Sequence, residues 1–238
     1  MFAGPNGSGK TTVQRDLAGE RGPGFLAALV NPDEIEAAVL KSGRFDLGSF
    51  GVTATGYDVR AAFAGSEFLK RNGMASAATA VKGDGPVLDF STLAMNSYHA
   101  SVLADFLRRR LLAESKSFSF ETVMSERGKV DFLQEARAAG FRTYLYFVST
   151  EDPEINIARV ALRVTQGGHD VPRDKIISRY TRSLELARDA TRHTDRAYFF
   201  DTSGGGAVFV AESEAGNRPE TRGEAVPSWF KTYLWDRF

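Results

Sequence analysis

Hydrophobic positions along the chain fall into short uninterrupted runs and longer stretches with helical spacing, and over most of its length the two alternate. Thr12 to Ala18 is helix-compatible, and Phe25 to Val30 (FLAALV), bounded by Gly22-Pro23-Gly24 and Asn31-Pro32, predicts a buried parallel strand. Asn31 suits an N-cap, Pro32 a first helical position and Glu34 the carboxylate of a capping box, which puts Asp33 in the first turn of the next helix. Further on, Ser117 to Phe120 alternates as a strand ending at Glu121-Thr122. Lys129 to Ala139 is an amphipathic helix stopped by Gly140, and Arg142 to Val148 is an aromatic and β-branched strand. Asp152-Pro153 opens a helix to Gln166, closed by Gly167-Gly168; Pro172 opens another to about Ala190. Strands over Tyr198 to Asp201 and Ala207 to Ala211 follow. The chain closes with a helix from Pro227 whose Trp229, Phe230, Tyr233, Leu234 and Trp235 read as core cover.

This is the rhythm of an α/β fold with a parallel sheet flanked by helices. It is interrupted between 43 and 116, where Gly43, Gly48, Gly51, Gly56, Gly65, Gly73, Gly83 and Gly85 break the pattern. Tyr57 to Asn72 and Ser97 to Glu114 still show helical stripes, so this stretch reads as a largely helical insert in a single domain over 1–238. Thirty basic residues balance thirty acidic ones, which leaves no overall field to recruit nucleic acid or an anionic membrane, and Arg108-Arg109-Arg110 is expected on a solvated helix face. Cysteine is absent, which removes disulfides, thiolate metal sites and cysteine nucleophiles. With no apolar span of about 20 residues and no signal-peptide pattern, the expected location is cytoplasmic.

The candidate chemistry starts at Gly4-Pro5-Asn6-Gly7-Ser8-Gly9-Lys10-Thr11, which matches G-x-x-x-x-G-K-[ST] at every fixed position, with Thr12 continuing into the helix. Glycines at this spacing let backbone N–H groups converge on phosphate, and the helix N-terminus adds its positive end. Lys10 then reaches the β- and γ-phosphates and Thr11 ligates Mg²⁺. Only Met1, Phe2 and Ala3 precede the loop, so either the first strand is very short or the chain begins inside a longer one. Asp33 falls where open α/β sheets place ligands, at the end of a strand. Glu121, at another strand end, suits the Mg²⁺ shell or the substrate, while a Walker B strand has no strong candidate. Arg159 and Arg163, four residues apart, share a helix face that suits a phosphate in transfer, or pair with Asp152 or Glu154. The loop 167–172 between two Arg-bearing helices is hinge-like, as a lid over ATP requires, and Arg179 and Arg182 extend the cationic surface. His169 in that loop reads as a pH-sensitive ligand or as a loop-ordering hydrogen bond.

The segments AGPNGSGKTT (3–12), NPDEIE (31–36), FSFETVMS (118–125), GFRTYLYFVST (140–150), RVALRVTQGGHDVPRDKIISRYTRSL (159–184) and DTS (201–203) together resemble the zeta-toxin-like P-loop kinases. The resemblance implies transfer of the ATP γ-phosphate to a sugar hydroxyl of UDP-N-acetylglucosamine, and inhibition by a small antitoxin. Carried over by motif, it implies Lys10 and Thr11 on ATP and Mg²⁺, Asp33 as the base accepting the hydroxyl proton, Glu121 and Thr122 at the substrate, and Arg163 with Arg159 or Arg179 on the phosphates. Two departures stand out: Asn-Pro-Asp replaces a more acidic stretch, and the 43–116 insert replaces much of the nucleotide-sugar region. The rival readings are a kinase of another small-molecule hydroxyl, a P-loop ATPase acting on a partner, and a catalytically dead nucleotide-binding module. The second lacks an LSGGQ signature; the third is opposed by the intact Lys10, Thr11, Asp33 and Glu121.

Overall fold

The computed structural model describes residues 1–238 except 23, 169 and 224. In chain order its elements are β1 (Phe2–Ala3), α1 (Lys10–Arg21), β2 (Ala28–Val30), α2 (Pro32–Ser42), β3 (Arg44–Asp46), α3 (Gly56–Gly65), α4 (Glu67–Arg71), α5 (Ala77–Ala80), β4 (Val87–Asp89), α6 (Ser97–Ala113) and β5 (Phe118–Thr122). There follow α7 (Gly128–Ala138), β6 (Tyr144–Ser149), α8 (Pro153–Thr165), α9 (Arg173–Arg192), β7 (Arg196–Asp201), β8 (Val208–Glu214), β9 (Glu220–Thr221) and α10 (Ser228–Tyr233). The architecture is mixed α/β with a mostly parallel sheet flanked by helices. Among the described residues no helix is long and apolar enough to cross a membrane. The chain divides into two compact units, Met1–Phe25 with Glu121–Phe238, and Leu26–Phe120.

In the first unit β1 is only two residues long, yet it is central. It pairs in parallel with β5 on one side (Phe2 opposite Glu121) and β6 on the other (Phe2 opposite Tyr146), and both its residues are buried. Parallel β7 extends the sheet along the full length of β6, and antiparallel β8 and β9 complete it. Strands buried on both faces need near-continuous apolar runs, and Leu145, Phe147, Val148, Ala197 and Phe199 supply the buried positions. Asp152 caps α8, its carboxylate accepting from the Glu154 N–H at 2.8 Å. Trp229, Phe230 and Leu234 at the C-terminal helix are buried, as core cover requires.

In the second unit β2 pairs in parallel with the first half of β5, Val30 opposite Phe120. The strand is shorter than the apolar run FLAALV predicts because Ala27 has φ 50°, which breaks the extended backbone. Asn31 caps α2 as expected, its side chain accepting from the Asp33 N–H at 3.0 Å. The single helix expected over Tyr57–Asn72 is two, α3 and α4. Ser66, with extended ψ 105°, ends the first and caps the second by accepting from the Leu69 N–H. Val87-Leu88-Asp89 pairs antiparallel with β3. Arg108 corrects the expectation of a solvated arginine face: it is 3% exposed, paired with Asp105 at 2.9 Å and lying over the Phe120 ring. Arg109 and Arg110 hold Asp105 and Asp58.

Candidate functional site: the phosphate loop

The loop leaves β1 and turns at once into α1, and the glycines are set by space. Gly4 has φ 142°, and a Cβ there would lie 1.9 Å from the Val148 carbonyl oxygen; at Gly7, with φ 72°, it would lie 2.5 Å from the Asn156 carbonyl oxygen. Only glycine fits either position. Gly9, in the left-handed region, is the N-cap of α1, and its carbonyl accepts from the Thr12 and Val13 N–H groups. The loop is also tied from outside. Asn156 Nδ2 donates to the Asn6 carbonyl at 2.6 Å, and Thr202 Oγ1 donates to the Ser8 carbonyl at 2.8 Å.

Lys10, 6% exposed, donates from Nζ to the Pro5 carbonyl at 2.9 Å and lies 3.8 Å from Glu121 Oε1. Thr11 Oγ1 donates to Glu121 Oε2 at 3.0 Å. The strand pairing explains the meeting, since Glu121 sits in β5 opposite Phe2 of β1, from which the loop springs. An ammonium, a hydroxyl and a carboxylate therefore converge at the mouth of a backbone cradle. Among the described residues no three of His, Cys, Asp and Glu gather to hold a metal. The Thr11 hydroxyl and the Glu121 carboxylate are oxygen donors of the kind a hard cation takes.

Arg159 of α8 joins this cluster indirectly. Its guanidinium donates to the Thr202 carbonyl at 2.5 Å, to Thr202 Oγ1 at 3.2 Å and to the Gly204 carbonyl at 3.4 Å. Arg163 follows one turn later, half-buried, its side chain so close to the backbone that a Cβ at Gly168 would meet its Cγ at 2.5 Å. Glu154 pairs with Arg173 at 2.9 Å. On α9 Arg179 is half-buried, and Arg182 is exposed with its Nε on the Ser178 carbonyl. Thr122 lies opposite Ala3 at the end of β5, its hydroxyl accepting from the Met124 N–H at 3.0 Å. His169 lies outside the described residues. Asp33 belongs to the second unit, exposed on the first turn of α2, between Asn31 and Glu34; these two, with Leu29, Ile35, Ala38, Phe45, Ser49 and Phe50, line a cavity of about 240 Å³.

Two residues at the loop were not singled out by their chemistry. Asn156 is fully buried on α8, and a lone amide between Ile155, Ile157 and Val160 is the signal that could have found it. Thr202 is buried beside Asp201, and there the DTS run was the only mark.

The loop, its flanking strands and the mostly parallel sheet define a P-loop α/β fold. No family model matches the sequence, and no curated protein matches it. Solved structures do. The chain is similar to one in the native AvrRxo1-ORF1:-ORF2 complex, with a TM-score of 0.59 and 18% identity over 99% of this chain. It is similar also to the AvrRxo1-ORF1:-ORF2 structure with ATP, at 0.55 and 18% over 92%. It spans 63% and 59% of the lengths of those chains. At such identity the likeness shows the fold.

Proposed function

We propose that the chain is an ATP-dependent phosphotransferase that moves the γ-phosphate to an alcohol acceptor. The observation that carries this reading is the convergence of Lys10 and Thr11 on Glu121 at the mouth of a loop whose Gly4 and Gly7 leave no room for a Cβ. That one of the similar structures was solved with ATP accords with it. The acceptor proposed is a hydroxyl of a nucleotide-sugar such as UDP-N-acetylglucosamine, and a small antitoxin is the proposed partner; both rest on the resemblance to zeta-toxin-like kinases.

The chemistry is positioning and electrostatics. The loop backbone and Lys10 hold the triphosphate. Thr11 and Glu121 are the side chains that would hold Mg²⁺, which when bound would neutralise charge on the triphosphate. Asp33 accepts the acceptor's hydroxyl proton as that oxygen bonds to the γ-phosphorus and the bond to the β–γ bridging oxygen breaks, leaving ADP. Arg163 and Arg179 neutralise the phosphoryl group in transit, while Arg159 holds the 202–204 backbone beside the loop.

Mass spectrometry of the protein incubated with ATP, Mg²⁺ and UDP-N-acetylglucosamine tests this. The expected product is the nucleotide-sugar with one added phosphate. Lys10→Ala is expected to abolish ATP binding and turnover. Asp33→Asn is expected to retain ATP binding and lose transfer by at least about 100-fold, the usual scale of a removed general base. Equal loss of ATP binding in both variants overturns the role of Asp33; ATP consumption with the sugar untouched overturns the acceptor.

A further inference from the structure

Behind the phosphate loop runs a chain of hydrogen bonds, buried at Trp229–Asp201 and at Thr202–Ser8, that ends in the C-terminal helix. Trp229 of α10 donates its indole Nε1–H to Asp201 Oδ2 at 2.8 Å. The same carboxylate accepts from Ser203 Oγ at 3.0 Å and, through Oδ1, from the Ser203 N–H at 2.9 Å, which fixes the turn leaving β7. Between these two residues stands Thr202, whose hydroxyl reaches the Ser8 carbonyl of the loop at 2.8 Å. Its methyl faces Gly9, where an added Cβ would meet it at 3.6 Å. Ser203 Oγ in turn accepts from the Glu151 N–H, and the Glu151 carboxylate accepts from the Ser228 and Trp229 N–H groups at the start of α10. The helix is thus tied to the 201–203 turn directly by its indole and, through Glu151, by its first backbone groups.

Packing makes the link stiff. Trp229 is 3% exposed, its ring 5.9 Å from that of Phe147 and 5.8 Å from that of Phe230, so it has no other place to go. Asp201 is 9% exposed, and a carboxylate so placed requires its donors. Ser8 is fully buried and held by Thr202 from behind.

We propose that Trp229, acting through Asp201 and Thr202, is a positioning residue of the phosphate loop. By fixing the turn that carries Thr202 it fixes the Ser8 carbonyl, and with it the backbone cradle that receives a nucleoside triphosphate. The proposal rests on the nucleotide-binding reading above. It assigns α10 a part in setting affinity for the triphosphate, not in the transfer step, so loss of the indole donor raises KM and leaves kcat nearly unchanged.

The sequence contains two tryptophans, so Trp235→Phe leaves Trp229 as the sole reporter. This variant is titrated with ATP and Mg²⁺, following bound nucleotide by equilibrium dialysis and Trp229 emission in parallel. The expected result is an emission change with the same midpoint as binding. Adding Thr202→Val, which keeps the side-chain shape and removes the hydroxyl, is expected to abolish that change and weaken binding. Trp229→Phe in the parent protein is expected to raise the KM for ATP about 3- to 10-fold, the share of one hydrogen bond to a charged group that reaches the site. Its kcat should stay within about twofold of the parent's, because the transition-state contacts are kept. Binding with silent Trp229 emission, or an unchanged KM in Trp229→Phe, overturns the relay alone. Absence of nucleotide binding in the parent protein overturns the nucleotide-binding reading and the relay with it.

Discussion

Each of the two units holds a glycine at which an added Cβ would lie within 2 Å of a carbonyl oxygen, and what surrounds that glycine differs. In the first unit Gly4 lies under Val148 at the meeting of β1 and β6, and the loop it opens is tied from outside by neutral side chains, Asn156 and Thr202, bonded to backbone carbonyls, while its own Lys10 bonds to the Pro5 carbonyl. In the second unit Gly56 starts α3 beneath the Gly83 carbonyl, and charged side chains hold its surroundings. Arg60 donates to the Gly83 carbonyl at 3.0 Å and to Asp84 at 2.9 Å, Arg110 pairs with Asp58, and Glu114 accepts from the Thr53 N–H. Long paired strands such as β6 and β7 supply most of the order in the first unit. The second has three-residue strands and, between the longer α2 and α6, the short helices α3 to α5, and its long arginine, lysine and glutamate side chains span the gaps between them.

The sharpest way to break this comparison is to fill both glycine positions. At Gly4 the added Cβ meets a carbonyl oxygen at 1.9 Å and the φ of 142° is itself forbidden to other residues, so no small shift relieves it. Gly4→Ala is expected to cost more than about 4 kcal/mol and to remove ATP binding. At Gly56 the clash is as short, 1.8 Å, against the Gly83 backbone carbonyl, but φ is ordinary, so about 2–3 kcal/mol is expected. Hydrogen exchange locates the damage: the α3 amides should lose protection in Gly56→Ala while those of β6 and β7 keep theirs. Equal loss in both sets would show that the two units do not open separately.

A smaller effect separates a buried charge from its packing. Burial pushes the Arg108 guanidinium below its usual range, and Asp105 opposes that shift. Removing the partner leaves a desolvated cation, whereas replacing the cation by an apolar chain of similar length does not. Asp105→Ala is expected to lower stability by about 1–2 kcal/mol, less than for a fully buried pair because Asp105 is 41% exposed. Arg108→Met should stay within about 1 kcal/mol of the parent. Urea midpoints of the two variants decide it; a larger loss for Arg108→Met would give the stabilisation to the contact with the Phe120 ring instead.

The same contrast explains what could be read from the sequence. The strand–helix rhythm of the first unit was legible because runs such as YLYFVS are long enough to show their periodicity, and the phosphate loop because backbone conformation dictates its glycines. β3 and β9, at three and two residues, leave no period to detect. The break at Ser66 was hidden because Val59, Phe63 and Leu69 keep one apolar stripe across it. Arg108 sits in a run of three arginines, and residue type alone does not say which of them turns inward. At the site, Glu121 was visible as an acid closing a strand. Asn156 and Thr202 were not, because their loop partners are carbonyl oxygens, which every residue has.

The mildest test of the comparison is acid. His99 is the one histidine between residues 26 and 120, 5% exposed, its ring stacked on Phe63 at 6.3 Å and 12°. Burial holds its pKa below the ordinary 6.5, and a hydrogen bond to the Ala94 backbone only partly opposes this. Its place in the first turn of α6 also disfavours a positive charge. The folded protein therefore keeps His99 neutral where the unfolded chain takes up a proton. Stability from this group is complete above about pH 6.5 and falls as the pH drops below it, by at most about 1.4 kcal/mol per pH unit. Urea midpoints at pH about 7 and about 5, the range a histidine spans, should differ by less in His99→Phe than in the parent, with α3 and α6 the first segments to lose exchange protection in acid. A parent and variant equally weakened by acid would assign the effect to carboxylates such as Asp58, whose low pKa, set chiefly by the Thr55 N–H, also makes stability fall on acidification, in a window below that of histidine.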